Sequence, residues 1–290
     1  MRLTKNLLTV LGAATLFVLL AIVISFSFIG GGYHKDKVAV LQLKGLISDT
    51  TALIRTLESL GERSDIKAVV LRINSPGGAV APSQELYDAI KGLDRKKAVV
   101  ASMGSIAASG GYYAATAARR IIASPGTITG GIGVIVQFVS AEGLLEKIGL
   151  KGYVIKSGKF KDAGSPLRAM RPDEKALLQG VVDGVNTQFI NAVARGRAMK
   201  PGTVRKLADG RIFTGQEAKK KGLVDELGGL NRAIALAAKL GGIKGKPLVI
   251  YPEEKFFDKW GAVVSENLTG RISSLFPGLR LMYLMPGTSI

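Results

Sequence analysis

Apolar and polar positions along this chain follow two periods in turn. Val38–Leu43 (VAVLQL), Ile66–Ile73 (IKAVVLRI) and Ala98–Met103 are short, dense runs of β-branched and aliphatic residues and predict strands. Thr51–Leu60 and Ser83–Leu93, between them, place apolar residues at helical spacing. Further strands are expected at Ile121–Ala123, Ile132–Phe138 and Gly152–Ile155. Further helices are expected from near Ile106–Ser109, over Glu142–Ile148, over Pro172–Met199 and over Asn231–Leu240. The long one opens with Pro172-Asp173-Glu174, a helix-start signature. Strands alternating with helices argue a parallel sheet with crossover helices, one α/β domain over residues 38–245. The extension 246–290 holds one more strand candidate, Leu248–Tyr251, and the apolar, proline-interrupted run Leu275–Met285, too short to span a membrane.

The N-terminal pattern differs. After a short N-terminus (1–6), Leu7–Ile29 carries no charge and is long enough to cross a hydrocarbon core of ~30 Å. Arg2 and Lys5 precede it, which orients the N-terminus to the cytoplasm and the rest of the chain outside. The run exceeds a usual signal-peptide core and no A-x-A site follows. An uncleaved transmembrane anchor is therefore expected in place of a cleaved signal peptide. Residues 30–37, opening with Gly30-Gly31-Gly32, read as a linker.

Composition narrows the chemistry. The chain has 290 residues, 47% of them hydrophobic, with 37 glycines. It has no cysteine, which excludes disulfides, thiol catalysis and zinc–thiolate sites. The net charge is +18, but its lysines and arginines are scattered and not interleaved with stacking aromatics. That pattern reads as a solvated basic surface with some attraction to acidic lipid, and no nucleic-acid partner is expected.

The only histidine, His34, falls in the linker, so a Ser–His–Asp triad has no plausible base. No carboxylate-pair motif and no metal-ligand motif stands out. Asn74-Ser75-Pro76-Gly77-Gly78 reads either as one wall of an oxyanion hole or as an ordinary β-to-α turn. In Ala107-Ala108-Ser109-Gly110-Gly111-Tyr112-Tyr113, Ser109 sits where a strand gives way to a helix. It is either an exposed nucleophile or a helix N-cap. A serine without histidine needs another base, and lysine is the usual substitute. Lys156-Ser157-Gly158-Lys159-Phe160-Lys161-Asp162 offers three lysines.

Taken together these segments resemble the signal peptide peptidase A family, also called protease IV. The resemblance rests on INSPGG (Ile73–Gly78), ASGGYY (Ala108–Tyr113), TGGIGV (Thr129–Val134), KSGKFKDAGSP (Lys156–Pro166) and GRIFTGQEAKKKGLVDELGGLNRAI (Gly210–Ile234), in that order. It implies a crotonase-like fold of the Clp protease superfamily, with ββα repeats. It implies Ser109 as nucleophile, Lys161 as general base, and the backbone N–H groups of Gly78 and Gly110 as oxyanion hole, with no cofactor or metal. It also implies a homo-oligomeric ring in which adjacent protomers contribute serine and lysine, acting at the membrane on cleaved signal peptides and other peptide or protein substrates. One position departs: where relatives carry a lysine-contacting serine, this chain has Gly131. A catalytically weakened membrane scaffold, or an acyl-CoA-processing crotonase relative, are the alternatives.

Overall fold

The computed structural model describes residues 15–18, 20, 36–252 and 282–284 of the chain. Two units are distinguished, Met1–Asp36 and Lys37–Ile290. In the first, residues 15–18 and 20 are helical, with Leu16, Phe17, Val18 and Leu20 exposed. Most of the expected anchor, the three linker glycines and His34 lie outside the described residues. Among those described, no helix is long and apolar enough to cross a membrane.

The second unit opens with β1 (Lys37–Ile47), α1 (Thr51–Glu62), β2 (Ile66–Ala79), α2 (Val80–Lys96) and β3 (Ala98–Ala108). A short helix α3 (Gly110–Ala115) follows, then β4 (Arg120–Ala123), β5 (Ile128–Gly130) and α4 (Glu142–Lys147). The long helix α5 (Pro172–Gly196) leads to α6 (Pro201–Arg205), β6 (Ile212–Thr214), α7 (Gly215–Lys220), β7 (Glu226–Leu227) and α8 (Leu230–Leu240). Two further strands are β8 (Leu248–Ile250) and β9 (Met282–Leu284).

The sheet is centred on β1, β2 and β3, parallel and in register from Val38–Leu43 through Ala68–Ile73 to Ala98–Met103. β8 extends it beyond β1. β3 pairs with β4 along Val100–Ser102 and with β5 along Ile106–Ala108, so the sheet forks there. β7 continues the β4 branch. Two pairings are antiparallel, β5 with β6 and β2 with β9, so the expected parallel sheet is a mixed one.

The central strands are buried on both faces, which is why they read as continuous apolar runs without alternation. Leu41, Leu43, Val69, Leu71, Ile73, Val99 and Met103 point into the larger core, with Leu57, Leu86, Ile90 and Phe189. Val38, Val40, Val70, Val100 and Ile122 point the other way, against Ala233, Ala237 and Ala238 of α8.

Four expectations are corrected. Residues 74–78 are strand, not loop: β2 runs on to Ala79, and Leu46 and Ile47 pair with Gly77 and Gly78. The ladder shifts register there, and Pro76, which has no N–H to give, falls where neither neighbouring strand pairs with it. No helix begins at Ile106, because Ile106–Ala108 are held in the ladder with β5. Ile132–Phe138 and Gly152–Ile155 are not strands: no ladder takes them up, apart from a single bridge at Ile135, and Tyr153, Val154 and Ile155 are exposed. The long helix stops at Gly196, short of Met199, where Ala198 takes a left-handed φ of 51°.

The end of α5 is clamped to β4. Arg197 donates to both oxygens of Asp225 at 2.8 and 2.9 Å, and Asp225 also accepts from the Ile121 N–H at 2.7 Å. Burial raises the Asp225 carboxyl pKa, but the hydrogen bonds and charge of Arg197 outweigh it and the net shift is downward. Removing one partner of such a pair strands the other. Asp225→Ala is expected to cost about 3 kcal/mol, read as a lower urea midpoint. The wild-type pair contributes fully above the unfolded carboxyl pKa of ~3.9, and the contribution is lost as pH falls through the lower folded value.

Candidate active site

Ser109 stands at the carboxyl end of β3, one residue before α3. Its backbone is at φ 53°, ψ −119°, a region L-residues avoid. Such strain costs of order 1–3 kcal/mol and persists only where surroundings enforce it. Here they do. The Ser109 N–H donates to Gly130 O at 2.8 Å, and the Ser109 carbonyl accepts from Tyr113 N at 2.8 Å. Tyr112 is buried and its hydroxyl donates to Leu223 O at 2.9 Å, while Tyr113 packs between Tyr87 and Phe189. The Ser109 side chain does not cap α3. Its Oγ is buried and has no hydrogen-bond partner, so the N-cap alternative is set aside. A strained serine at a strand-to-helix turn, its hydroxyl uncommitted, is the arrangement that presents a nucleophile.

Two glycine segments close around it. A Cβ on Gly110 would lie 2.6 Å from Ser83 Oγ and 3.3 Å from Gly78 N, so the Gly110 and Gly78 backbones are neighbours. A Cβ on Gly78 would fall 2.1 Å from Ile47 O. Gly77, at φ 107°, gives its N–H to Ser75 Oγ at 3.1 Å. That bond commits the Gly77 N–H within its own turn. Gly110 is the first residue of α3, so its N–H has no acceptor within the helix. The sequence reading passed over Ser75 and Ser83, the two small residues that shape this wall. Their signal was a buried serine in each of the two segments flanking Gly77-Gly78. On the opposite side, Gly131 has φ 60°, its N–H donates to Arg211 O, and a Cβ there would lie 3.7 Å from Ser109 Cβ.

Lys161 lies in the turn 158–165 and is exposed. It makes no ion pair among the described residues, whereas its neighbours are committed. Lys156 is paired with Asp162, and Lys159 with Asp173 at 2.6 Å. The turn is docked through Gly164, where a Cβ would meet the Phe138 ring at 2.2 Å. Among the described residues, no cluster of His, Asp or Glu is placed to hold a metal ion.

Comparison with known proteins agrees with this architecture. The profile of peptidase family S49 matches residues 91–244, and that of Clp protease matches residues 35–131. A protein of Synechocystis sp. with a provisional protease designation is 44% identical over 211 residues, covering 72% of this chain and 76% of its own. The chloroplast serine protease SPPA of Arabidopsis thaliana is 35% identical over 223 residues, covering 72% of this chain and 33% of its own. An Enterococcus faecium protein provisionally designated signal peptide peptidase SppA is 36% identical over 213 residues, covering 68% of this chain and 61% of its own. On these matches the chain belongs to peptidase family S49, and is a serine peptidase with a Clp protease-like α/β fold.

Proposed function

We propose that the protein cleaves peptide bonds with a Ser109–Lys161 dyad and an oxyanion hole formed by the N–H groups of Gly78 and Gly110. The observation that carries this reading is the buried, unpartnered Ser109 Oγ on a strained turn. Neutral Lys161 takes the hydroxyl proton as Oγ attacks the substrate carbonyl. The Gly78 and Gly110 amides receive the developing oxyanion, each worth roughly 3–4 kcal/mol of transition-state stabilisation. Lys161 then protonates the leaving amine, and a water deprotonated by the same lysine releases the acyl group.

The lysine must shed its proton near neutrality. Desolvation favours the neutral amine that proton abstraction requires. Within one chain Lys161 is exposed, and so are Leu150, Tyr153, Val154, Ile155 and Phe160 beside it in sequence. We read this apolar arm as an interface with a neighbouring copy, in a ring where the lysine of one protomer meets the serine of the next. The active site is then completed by assembly.

β9 supports an extended substrate. Met282–Leu284 lie antiparallel along Gly77–Ala79, at the oxyanion segment, so this stretch of β2 accepts an added strand. Residual signal peptides are the proposed substrates, in keeping with the designation of the Enterococcus relative. The uncharged run Leu7–Ile29 supports a single-pass anchor that confines the domain to the extracytoplasmic face of the cell (inner or plasma) membrane, where such peptides concentrate.

Ser109→Ala and Lys161→Ala are each expected to lower peptide cleavage by at least about 1,000-fold without shifting the thermal melt. Retention of cleavage by both variants would discard the dyad. Co-refolding the two inactive variants in equal amounts tests whether protomers share sites. Random assembly leaves about one quarter of neighbouring pairs with an intact serine and lysine, so about one quarter of wild-type activity should return. No recovery would mean that each chain completes its own site.

A further inference from the structure

The proposed base has a carboxylate as its immediate neighbour in sequence, which is an awkward arrangement. A carboxylate beside a lysine favours the ammonium and raises the pKa that catalysis needs lowered. The structure around Lys161 is built against that pairing. Lys156 Nζ is paired with Asp162 Oδ1, and Arg168 Nε donates to Asp162 Oδ2 at 3.0 Å. The Arg168 guanidinium also donates to the Asp162 carbonyl at 3.2 Å and to Glu174 at 2.9 Å. Glu174 is fully buried at the start of α5 and is held as well by Arg171, through its N–H at 3.0 Å and its guanidinium at 2.9 Å. Lys159 and Arg171 share Asp173.

The charged groups around the turn are thus four cations, Lys156, Lys159, Arg168 and Arg171, and three carboxylates, Asp162, Asp173 and Glu174. Each carboxylate is bound by two of those cations. Among the described residues, the buried polar side chains of the segments around Ser109, Ser75, Ser83 and Thr129, are uncharged, and Arg211, whose carbonyl holds Gly131, is paired with Asp209. Hydrogen bonding from Lys156, then Arg168, holds Asp162 ionised down to a pKa of about 2. It is charged at every working pH and would be a standing partner for any free ammonium.

Resting on the Ser109–Lys161 reading, we infer that Lys156 and Arg168 are positioning residues for the catalytic lysine: by engaging both oxygens of Asp162 they deny Lys161 a carboxylate and fix the turn that carries it. Lys156 is the informative position, because it holds Asp162 Oδ1 and reaches otherwise only the Lys159 carbonyl, at 3.1 Å. Arg168 also carries Glu174, so its loss would disturb the whole turn.

The test is the rate at which a fluorophosphonate probe labels Ser109 in the full chain, followed against pH. In Lys156→Met, Asp162 Oδ1 is released toward Lys161, and the midpoint of the profile should move up by about one pH unit with the alkaline plateau kept within about twofold. Lys156→Arg should restore the wild-type midpoint. Asp162→Asn added to Lys156→Met removes the released charge and should return the midpoint to the wild-type value. An unmoved midpoint in Lys156→Met, or an equal loss of labelling at every pH, overturns the inference and leaves a structural ion pair. Should Lys156→Met fail to fold, Lys156→Gln takes its place: a raised midpoint supports the inference and an unmoved one ends it. Lys161→Ala is the separate control. Wild-type labelling and pH profile in that variant would defeat the dyad itself, whatever the Lys156 and Asp162 variants show.

Discussion

Three backbone segments meet at Ser109 more closely than side chains permit, and the geometry of the site depends on that approach. Gly78 lies against the Ile47 backbone, Gly110 against Ser83 and Gly78, and Gly131 against the Ser109 amide. A single Cβ at Gly78 would overlap the Ile47 carbonyl and force β1 from β2. The register of the central sheet and the shape of the site are therefore one constraint. Strain at Ser109 is kept in place by the Gly130 carbonyl on one side and the buried Tyr112–Tyr113 pair on the other. The acyl-CoA reading loses ground for an independent reason, since family membership makes the chain a serine peptidase.

The core strands were legible in the sequence because burial on both faces makes each a continuous apolar run with few other readings. The turn at Ser109 was legible in Ser-Gly-Gly after such a run, but whether its serine caps the helix was not, since the same position suits either role. The strand through Pro76-Gly77-Gly78 was not legible, since proline and glycine are the residues that usually end strands. Its pairing is set by Leu46 and Ile47, thirty residues away in the chain. Ile132–Phe138 and Gly152–Ile155 misled in the opposite direction. Their composition suits a strand, but a strand also needs an edge to pair with, and hydropathy carries no information about edges. Among Lys156, Lys159 and Lys161 the residues alone made no choice, and the resemblance pointed to Lys161. Which lysines pair with Asp162 and Asp173 lay beyond the sequence, as a matter of how the turn closes.

The basic character of the chain acquires a local meaning in that turn. A surplus of cations over carboxylates would be an unremarkable surface feature elsewhere, and exposed pairs contribute little to stability. Around a lysine that must lose a proton, the same surplus changes the electrostatic balance. Each carboxylate consumed by an arginine or by another lysine is one fewer anchor for the ammonium. Glu174 matters here by location: fully buried at the first turn of α5, it ties Arg168 and Arg171 to that helix.

Nucleophile and proposed base differ in the kind of structure that carries them. Ser109 is enclosed by the sheet and α3, on backbone that the whole core holds in place. Lys161 sits on an arm whose apolar residues face outward. Pairing Asp162 with Lys156 and Arg168 occupies the neighbouring carboxylate but does not enclose the amine. Under the proposed reading, a neighbouring copy encloses it. Under the proposed dyad, a lone chain therefore holds an enclosed serine and an exposed lysine, and proteolysis begins only where copies gather. Such a division confines cleavage to the assembled state.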